Sequence, residues 1–452
     1  MKPFSPFRAA RLWRAVFALT FVASCAPALA QLRLPSVNLP GAPIGPIGGD
    51  LLREPLSRLP TVRELPSVRN LRLTQVERLL RQYGDLLEAD PRGEPIVKQE
   101  ILAWSPSSAG LAAARAAGLS IAEQRQLDGL DEVMVVLRVP AGAATTLVLA
   151  ELRALDPEGS YDFNHVYTGS ASGTMVTGTP VASPAGASGS AARKPGTAAV
   201  GLVDSGVDTG HEVFEGTSIA RWGCGEAPRP DAHGTAVAAL MVGQSRTFRG
   251  VAPGTSLFAA DIYCKSGTGG SADKIAGALA WMARQRVGVI NMSIVGPPNQ
   301  TLERVVAAMV KRGHLLVAAV GNDGPAAAPL YPASYPGVVG VSAVDKRGHV
   351  LPEAGRGRQV MFAAPGNHML SANVGNPTCR QVRGTSFAAP IVAAMLADRH
   401  MVPDRSAATR ALDALARQAA GTASGEPGTT VSNATGLGIV GQQFRTDPAT
   451  LR

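Results

Sequence analysis

Aromatic, charged and cysteine residues are all scarce in this chain. Of its 452 residues, 5% are aromatic, 17% are charged and four are cysteine, against 50 glycines and a hydrophobic fraction of 45%. So little charge with so much apolar material excludes an intrinsically disordered protein. The composition instead predicts a compact α/β body with glycine-rich turns. The length suggests about two or three domains, with enough apolar residues for a full core.

Motifs for nucleic acids and nucleotides are also lacking. The formal net charge is +9, but the arginines are scattered and no cluster of basic and aromatic residues accompanies them. The run Gly267-Thr268-Gly269-Gly270 is too poor a match to a phosphate-binding loop to support nucleotide binding. We therefore expect no nucleic-acid partner.

The N-terminal 30 residues have the features of an export signal. Four basic residues precede the apolar stretch Ala15–Ala23, which is too short to span a bilayer, and Ala28-Leu29-Ala30 offers small residues for cleavage. Val22-Ala23-Ser24-Cys25 gives an alternative, since it resembles the lipobox of bacterial lipoproteins. We favour cleavage and a secreted or periplasmic protein; only lipidation of Cys25 would anchor it to a membrane.

The remaining cysteines are odd in number, and their spacing matches no zinc site. An exported protein can form disulfides, so of the available pairings we favour Cys224 with Cys264, which leaves Cys379 free.

Composition divides the rest of the chain into four parts. Residues 31–68 are a proline-rich linker. Residues 69–167 comprise one amphipathic helix and an α+β module in which a small sheet carries two helices on one face. Residues 168–196 are rich in Gly, Ser and Ala and form an exposed, protease-sensitive linker. Residues 197–445 form the main domain.

In the main domain, continuous apolar strands alternate with helices. Such strands predict an α/β fold with a mostly parallel sheet and helices on both faces. In these sheets functional residues gather at the carboxyl ends of the strands. The predicted strands are Ala198–Val203, Leu257–Tyr263, Val287–Met292, Leu315–Val320 and Val338–Val344.

Four polar residues follow that rule. Asp204 follows the first strand, Asn322 follows the fourth, and His233 and Ser386 each stand where a helix begins. An acid can orient a histidine, a histidine can act as a general base for a serine hydroxyl, and an amide can stabilise an oxyanion. Alone, Asp204 and Asn322 are most simply turn residues. The other histidines, interpreted as surface or structural, are His165, His211, His314, His349, His368 and His400.

These residues lie in motifs that resemble those of the subtilisin-like serine proteases. The motifs are Asp-Ser-Gly-Val at 204–207, His-Gly-Thr-Ala-Val-Ala at 233–238, Gly-Asn-Asp-Gly at 321–324 and Gly-Thr-Ser-Phe-Ala-Ala-Pro at 384–390. The resemblance covers residues 197–441 and implies that Ser386 is the nucleophile and His233 the base. It also implies that Asp204 orients the histidine and that Asn322 is an oxyanion donor.

By the same resemblance, a polypeptide substrate adds as a strand in a cleft. Its expected contacts are Ser293, Ile294 and Val295 on one edge, Gly269 and Gly270 on the facing edge, and Gly321 and Asp323 beside the oxyanion donor. Val295 stands where the family often has glycine, which predicts a narrower pocket before the scissile bond. Asp323 could favour a basic residue there, although an exposed acid contributes little.

The resemblance extends more loosely to residues 69–167, whose position and element order are similar to the pro-regions of these enzymes. We therefore expect a precursor that cuts itself within 168–196 and is inhibited by its own pro-domain. No cofactor is expected. Many relatives bind calcium after the histidine helix, but here Gln244–Gly250 contains two arginines and no carboxylate.

Two other functions would suit parts of this pattern. A catalytically silent binding or chaperone-like protein on the same fold is the alternative, and the complete set of four residues argues against it. An esterase or lipase would contain a G-x-S-x-G elbow and the order serine, acid, histidine; the chain has neither.

Overall fold

The computed structural model of the chain describes residues 68–169, 198–375, 378–422 and 432–446, all within one compact unit, Glu64–Arg452. The predicted signal peptide, lipobox and proline-rich linker up to residue 67 lie outside the described residues, as do residues 170–197. Among the helices that are described, none combines the length and the apolar character needed to cross a membrane.

The first helix and a small α+β module form the N-terminal part. We call residues 87–169 the N-terminal module. The elements are α1 (Val68–Gln82), β1 (Leu87–Ala89), β2 (Pro95–Trp104), α2 (Ser108–Ala116), β3 (Ser120–Leu127), β4 (Glu132–Arg138), α3 (Thr145–Leu155) and β5 (Ser160–Gly169).

The module has one antiparallel sheet in the order β5-β2-β4-β3, and β1 pairs with β2. Its own core lies between this sheet and α2 and α3, with Ile101, Leu137 and Leu152 all at most 1% exposed. The sequence pattern predicts β2 and β4 but not the short β1, nor β3 and β5. β3 is exposed along most of its length and so carries no apolar signal. β5 mixes apolar with polar side chains, and the buried Asn164 and His165 contact both the module and the C-terminal domain.

The C-terminal domain, residues 198–446, is built on a seven-stranded sheet. Its elements are β6 (Ala199–Asp204), β7 (Ile219–Trp222), α4 (Ala232–Val242), β8 (Ser256–Asp261), β9 (Gly270–Ser271), α5 (Ala272–Arg284), β10 (Val289–Met292), β11 (Ile294–Val295), α6 (Gln300–Lys311), β12 (Leu315–Ala319), β13 (Val339–Val344), β14 (Val360–Pro365), β15 (Met369–Ala372), β16 (Cys379–Val382), α7 (Thr385–Ala397) and α8 (Arg405–Thr422).

The predicted fold class is confirmed. The strand order is β14-β13-β12-β10-β6-β8-β7, and every pair is parallel. The central strands are buried along their whole length because helices cover both faces. α4, α7 and α8 share one core with the sheet, and α5 and α6 share the other.

The N-terminal module is joined to the C-terminal domain through β5. This strand pairs antiparallel with β11 on one side and with β9 on the other. Its side chains also bind helix starts in the domain: Asp162 Oδ2 accepts the Gln300 amide at 2.6 Å, and Asn164 Oδ1 accepts the Asp273 amide at 3.2 Å. The linker predicted from residue 168 therefore begins later, because Thr168 and Gly169 belong to β5.

Candidate active site

Asp204 and His233 are brought together at the carboxyl end of the parallel sheet. Asp204 is the last residue of β6 and is 1% exposed; His233 is the second residue of α4. The His233 Nδ1 to Asp204 Oδ1 distance is 2.7 Å. Since a carboxylate only accepts, Nδ1 carries the hydrogen and Nε2 is left as the basic nitrogen.

The charge state of His233 depends on two opposed effects. Burial disfavours the imidazolium, but the negative charge of Asp204 and its hydrogen bond outweigh burial, so the pKa of His233 lies above its ordinary value. Nε2 is buried and has no hydrogen-bond partner among the described residues. The basic nitrogen is thus available for a proton from a neighbouring group.

Ser386 occupies the first turn of α7, and the residue that follows it packs against this histidine. The phenyl ring of Phe387 lies 5.4 Å from the His233 ring, centroid to centroid. Ser386 Oγ donates to the Ser293 carbonyl at 3.2 Å, and Ser293 Oγ donates to the Ser386 carbonyl at 2.8 Å. This reciprocal pair holds the helix start against the residue before β11. Sequence reasoning had placed Ser293 only on the substrate edge.

Asn322 lies beside the same helix start. Its Oδ1 accepts the Thr385 amide at 3.1 Å, which orients the side chain, while Nδ2 is buried without a partner in the described structure. Gly384 allows this approach: its φ is 128°, and a Cβ there would lie 2.9 Å from Nδ2. This buried amide N–H is therefore left to donate to a group that enters the space beside the start of α7.

The expected substrate edges enclose β5. Thr168 pairs with Val295, Gly169 with Ile294, and Tyr167 with Gly270. A Cβ built on Gly169 would lie 3.7 Å from His233 Nε2, so the end of this strand reaches the basic nitrogen.

The remaining residues expected at the cleft are Gly269, Gly321 and Asp323, and their contacts differ from one another. Gly269, with a φ of 99°, precedes the paired Gly270, and the Gly321 amide donates to Thr385 Oγ1 at 3.2 Å. Asp323 is paired with Arg72 of α1 at 3.4 Å, with 18% of its side chain exposed. Burial raises the pKa of Asp323, and the Arg72 charge opposes that rise.

Some site residues were missed by sequence reasoning. Asp231 is the N-cap of α4: its Oδ1 accepts the His233 amide at 2.8 Å and the Ser205 hydroxyl at 2.9 Å. An acid just before an apolar helix is a capping signal that could have indicated it. Tyr167, fully buried, donates its hydroxyl to the Pro297 carbonyl at 2.9 Å. No sequence signal distinguishes it from a core tyrosine.

The C-terminal domain contains one disulfide among the described residues. It joins Cys224 to Cys264, with 5.2 Å between their Cα atoms, and Cys379 is not in a disulfide.

The segment after α4, Gln244–Gly250, forms a turn in which the Ser245 hydroxyl accepts two backbone amides. Without a carboxylate, this segment does not fit a calcium ion.

Comparison with known proteins places the site in a family. The model of the subtilase family of peptidases matches residues 196–438. The chain is 33% identical over 202 residues to subtilisin DY of Bacillus licheniformis, covering 43% of the chain and 73% of that protein. It is 36% identical over 209 residues to subtilisin-like protease 1 of Trichophyton verrucosum, covering 43% and 50%. The match thus spans about half the length of that fungal relative.

Among solved structures, fervidolysin of Fervidobacterium pennivorans, described as a keratinolytic enzyme related to subtilisin, has a similar fold. The TM-score is 0.61 at 22% sequence identity, over 79% of this chain and 62% of that one. At this identity the likeness concerns the fold alone. The family match covers more than half of the chain and coincides with the residues that surround His233. The chain therefore belongs to the subtilase family, the subtilisin-like serine endopeptidases.

Proposed function

We propose that the chain is an exported serine endopeptidase that hydrolyses peptide bonds through an acyl-enzyme on Ser386 and is made as a self-processed precursor. One observation carries the proposal: an extended strand of the chain lies in the cleft and ends at the basic nitrogen of His233, beside Ser386. The arrangement is that of a peptide bound for cleavage.

The residues divide the chemistry between them. His233 Nε2 accepts the Ser386 Oγ proton as Oγ attacks the scissile carbonyl carbon. The oxyanion accepts from Asn322 Nδ2 and from the Ser386 backbone N–H at the start of α7. His233 then gives the proton to the leaving amine, and the C–N bond breaks. Water repeats the sequence to release the acid and free Ser386, while Asp204 stabilises each imidazolium.

Self-processing follows from the position of β5. Consecutive Cα atoms are about 3.8 Å apart, so the bond that reaches Ser386 is within one or two residues after Gly169. We place the processing site there. After cleavage the N-terminal module remains held by β9, β11 and the two helix starts that Asp162 and Asn164 bind. It is an intramolecular inhibitor.

The same strand indicates what substrates the cleft takes. Tyr167 fills a closed pocket in which a Cβ on Gly296 would lie 2.5 Å from the ring, so glycine is needed there. We therefore expect substrates to have a large aromatic residue at the position that Tyr167 occupies in β5. Nearer the scissile bond the cleft is narrow, because Val295 Cγ1 would be 3.6 Å from a Cβ on Gly321. This part of the cleft therefore favours a substrate with a small side chain. Asp323 is half-buried and paired with Arg72 of α1, so a guanidinium is the basic group that it binds in this structure.

The decisive experiment compares wild type with Ser386→Ala. We expect wild type to give a fragment whose new N-terminus lies just after Gly169, to react with a serine-directed fluorophosphonate, and to cleave a peptide library. Ser386→Ala should remain full length and unlabelled. Normal processing of that variant, or an unlabelled wild type, would instead favour the silent binding protein. Sequencing of the N-terminus of the uncleaved Ser386→Ala precursor and membrane fractionation of Cys25→Ser would distinguish signal cleavage from lipidation.

A further inference from the structure

Asp231 is an acid that lies directly before α4, two residues ahead of the base His233. As the N-cap of the helix, its Oδ1 accepts the His233 amide at 2.8 Å. The same oxygen accepts the Ser205 hydroxyl at 2.9 Å. Asparagine and serine are equally good N-caps. The acid at this position therefore supplies something that capping does not require, which is a negative charge close to the histidine.

The Ser205 hydroxyl lies between two carboxylates. Its Oγ is 2.9 Å from Asp231 Oδ1 and 3.2 Å from Asp204 Oδ1. It also accepts the Gly234 amide at 2.9 Å, so it is tied to the start of α4. A hydroxyl has one hydrogen to donate. The shorter distance assigns that hydrogen to Asp231, so Asp204 does not receive it.

The oxygen of Asp204 that binds the histidine already has more than one donor. Oδ1 accepts His233 Nδ1 at 2.7 Å and the Ser205 amide at 2.7 Å. Each further donor weakens the hold of a carboxylate on the imidazolium, because it disperses the negative charge. Without Asp231, the Ser205 hydroxyl would turn to Asp204. By accepting this hydrogen, Asp231 keeps Asp204 a strong partner for His233.

The charge of Asp231 also acts on His233 directly. Burial lowers the pKa of His233, but Asp204 outweighs burial, and the charge of Asp231 adds to the rise. The charge of Arg380, on β16, opposes an imidazolium. Burial lowers the pKa of Arg380 itself, and Asp231 opposes that change. Because Asp231 is exposed, solvent screens its direct effect, which is therefore smaller than that of Asp204.

Asp261 and Tyr263 are further titratable groups beside these carboxylates. Burial and the charges of Asp204 and Asp231 raise the pKa of both. Tyr263 therefore stays neutral, and Asp261 accepts backbone amides of its own turn. From α7, the imidazole meets the uncharged ring of Phe387. Asp231 is thus the acid that contacts both the Ser205 hydroxyl and the helix of the base.

We propose that Asp231 is a positioning residue of the peptidase reaction, a second carboxylate that supports His233 through the Ser205 hydroxyl and through its own charge. The role rests on the proposed function, since it matters only if His233 takes the proton of Ser386. Removing the charge should make the imidazole easier to deprotonate and a weaker base. The acid limb of the pH–rate profile should then move to lower pH, and the maximal rate should fall.

The kinetic test compares Asp231→Asn with wild type in the self-processed full-length chain. Asparagine keeps an oxygen for the His233 amide and for the Ser205 hydroxyl but carries no charge. We expect the acid limb of kcat/KM to move about half a pH unit lower and kcat to fall by about threefold to tenfold, with KM unchanged. Asp208→Asn is the matched control, because it removes an equal charge from the same loop, where Oδ1 accepts the Gly210 amide at 3.2 Å. Its profile should match wild type.

Two alanine variants separate the effect through Ser205 from the effect of charge. In Asp231→Ala the Ser205 hydroxyl is free to donate to Asp204, so the acid limb should move by about one pH unit. In a Ser205→Ala background the same substitution should move it by only about half a unit, because the hydroxyl is absent. Equal shifts in the two backgrounds would overturn the part of the proposal that acts through Ser205.

A second measurement needs no peptidase activity. In the Ser386→Ala precursor, NMR follows the titration of the His233 ring, which His233→Gln assigns. Asp231→Asn should lower the midpoint by about half a pH unit, and Asp208→Asn should leave it unchanged. An inactive wild type that shows this shift would count against the proposed function and still support the role of Asp231. An unchanged midpoint in folded Asp231→Asn would overturn the proposal. A raised KM with an unmoved acid limb would also overturn it, since Asp231 would then be a substrate contact.

Discussion

Tyr167 should be the main anchor of the cleaved N-terminal module. It is fully buried, and its hydroxyl donates to the Pro297 carbonyl at 2.9 Å. An aromatic side chain of this kind buries at least about 150 Å², which at about 25 cal/mol per Å² corresponds to about 4 kcal/mol. Tyr167→Ala should therefore weaken the binding of the cleaved module to the cleft by about a thousandfold. Tyr167→Phe keeps the ring and loses one hydrogen bond, at about 1 kcal/mol or roughly fivefold.

The assay is the interval between two events in the full-length chain: cleavage, seen by gel, and labelling by a fluorophosphonate, which needs an open cleft. We expect the interval to shorten by roughly fivefold for Tyr167→Phe and almost to vanish for Tyr167→Ala. Tyr161→Phe is the control, because that hydroxyl, on the same strand, donates to Asp156 inside the module at 2.5 Å. Equal intervals for wild type and Tyr167→Ala would refute the anchor.

Two further predictions concern catalysis and acid stability. Asn322→Ala should lower kcat by about a hundred- to a thousandfold with little change in KM, because it removes one oxyanion donor; unchanged kcat in a folded variant would exclude that role. Burial lowers the pKa of His314 to about 4, so its neutral form stabilises the fold above about pH 6.5 and that stability, up to about 3 kcal/mol, is lost as pH falls toward 4. His314→Asn in the Ser386→Ala precursor should flatten this loss in denaturant unfolding; an equally steep loss would contradict it.

The parallel sheet was the part of the fold most open to sequence reasoning. Strands such as Val289–Met292 and Leu315–Ala319 are buried on both faces, so their apolar character is continuous and legible. The strands β3 and β5 could not be predicted from the sequence. β3 is exposed, and the buried Asp162, Asn164 and His165 of β5 contact a domain more than a hundred residues further along the chain.

The functional residues also divide into those that local sequence identifies and those that it does not. Asp204, His233, Asn322 and Ser386 could be picked out because each stands in a short motif at a strand end or helix start, where local structure fixes its position. Asp231 carries a capping signal, an acid directly before an apolar helix. His165 was interpreted as surface or structural because nothing within a few residues of it differs from an ordinary strand, and its partners Asp90 and Asn299 are distant in sequence.

The sequence by itself determined the family and the parallel sheet, since motif order and strand hydrophobicity are local properties of the chain. It also indicated an N-terminal module before the peptidase domain. Only the tertiary structure decided that the module's last strand lies in the cleft and ends at His233, that Tyr167 fills a pocket there, and that His165 contacts Asn299. Those contacts join segments far apart in the chain, and their geometry depends on how two folded parts pack.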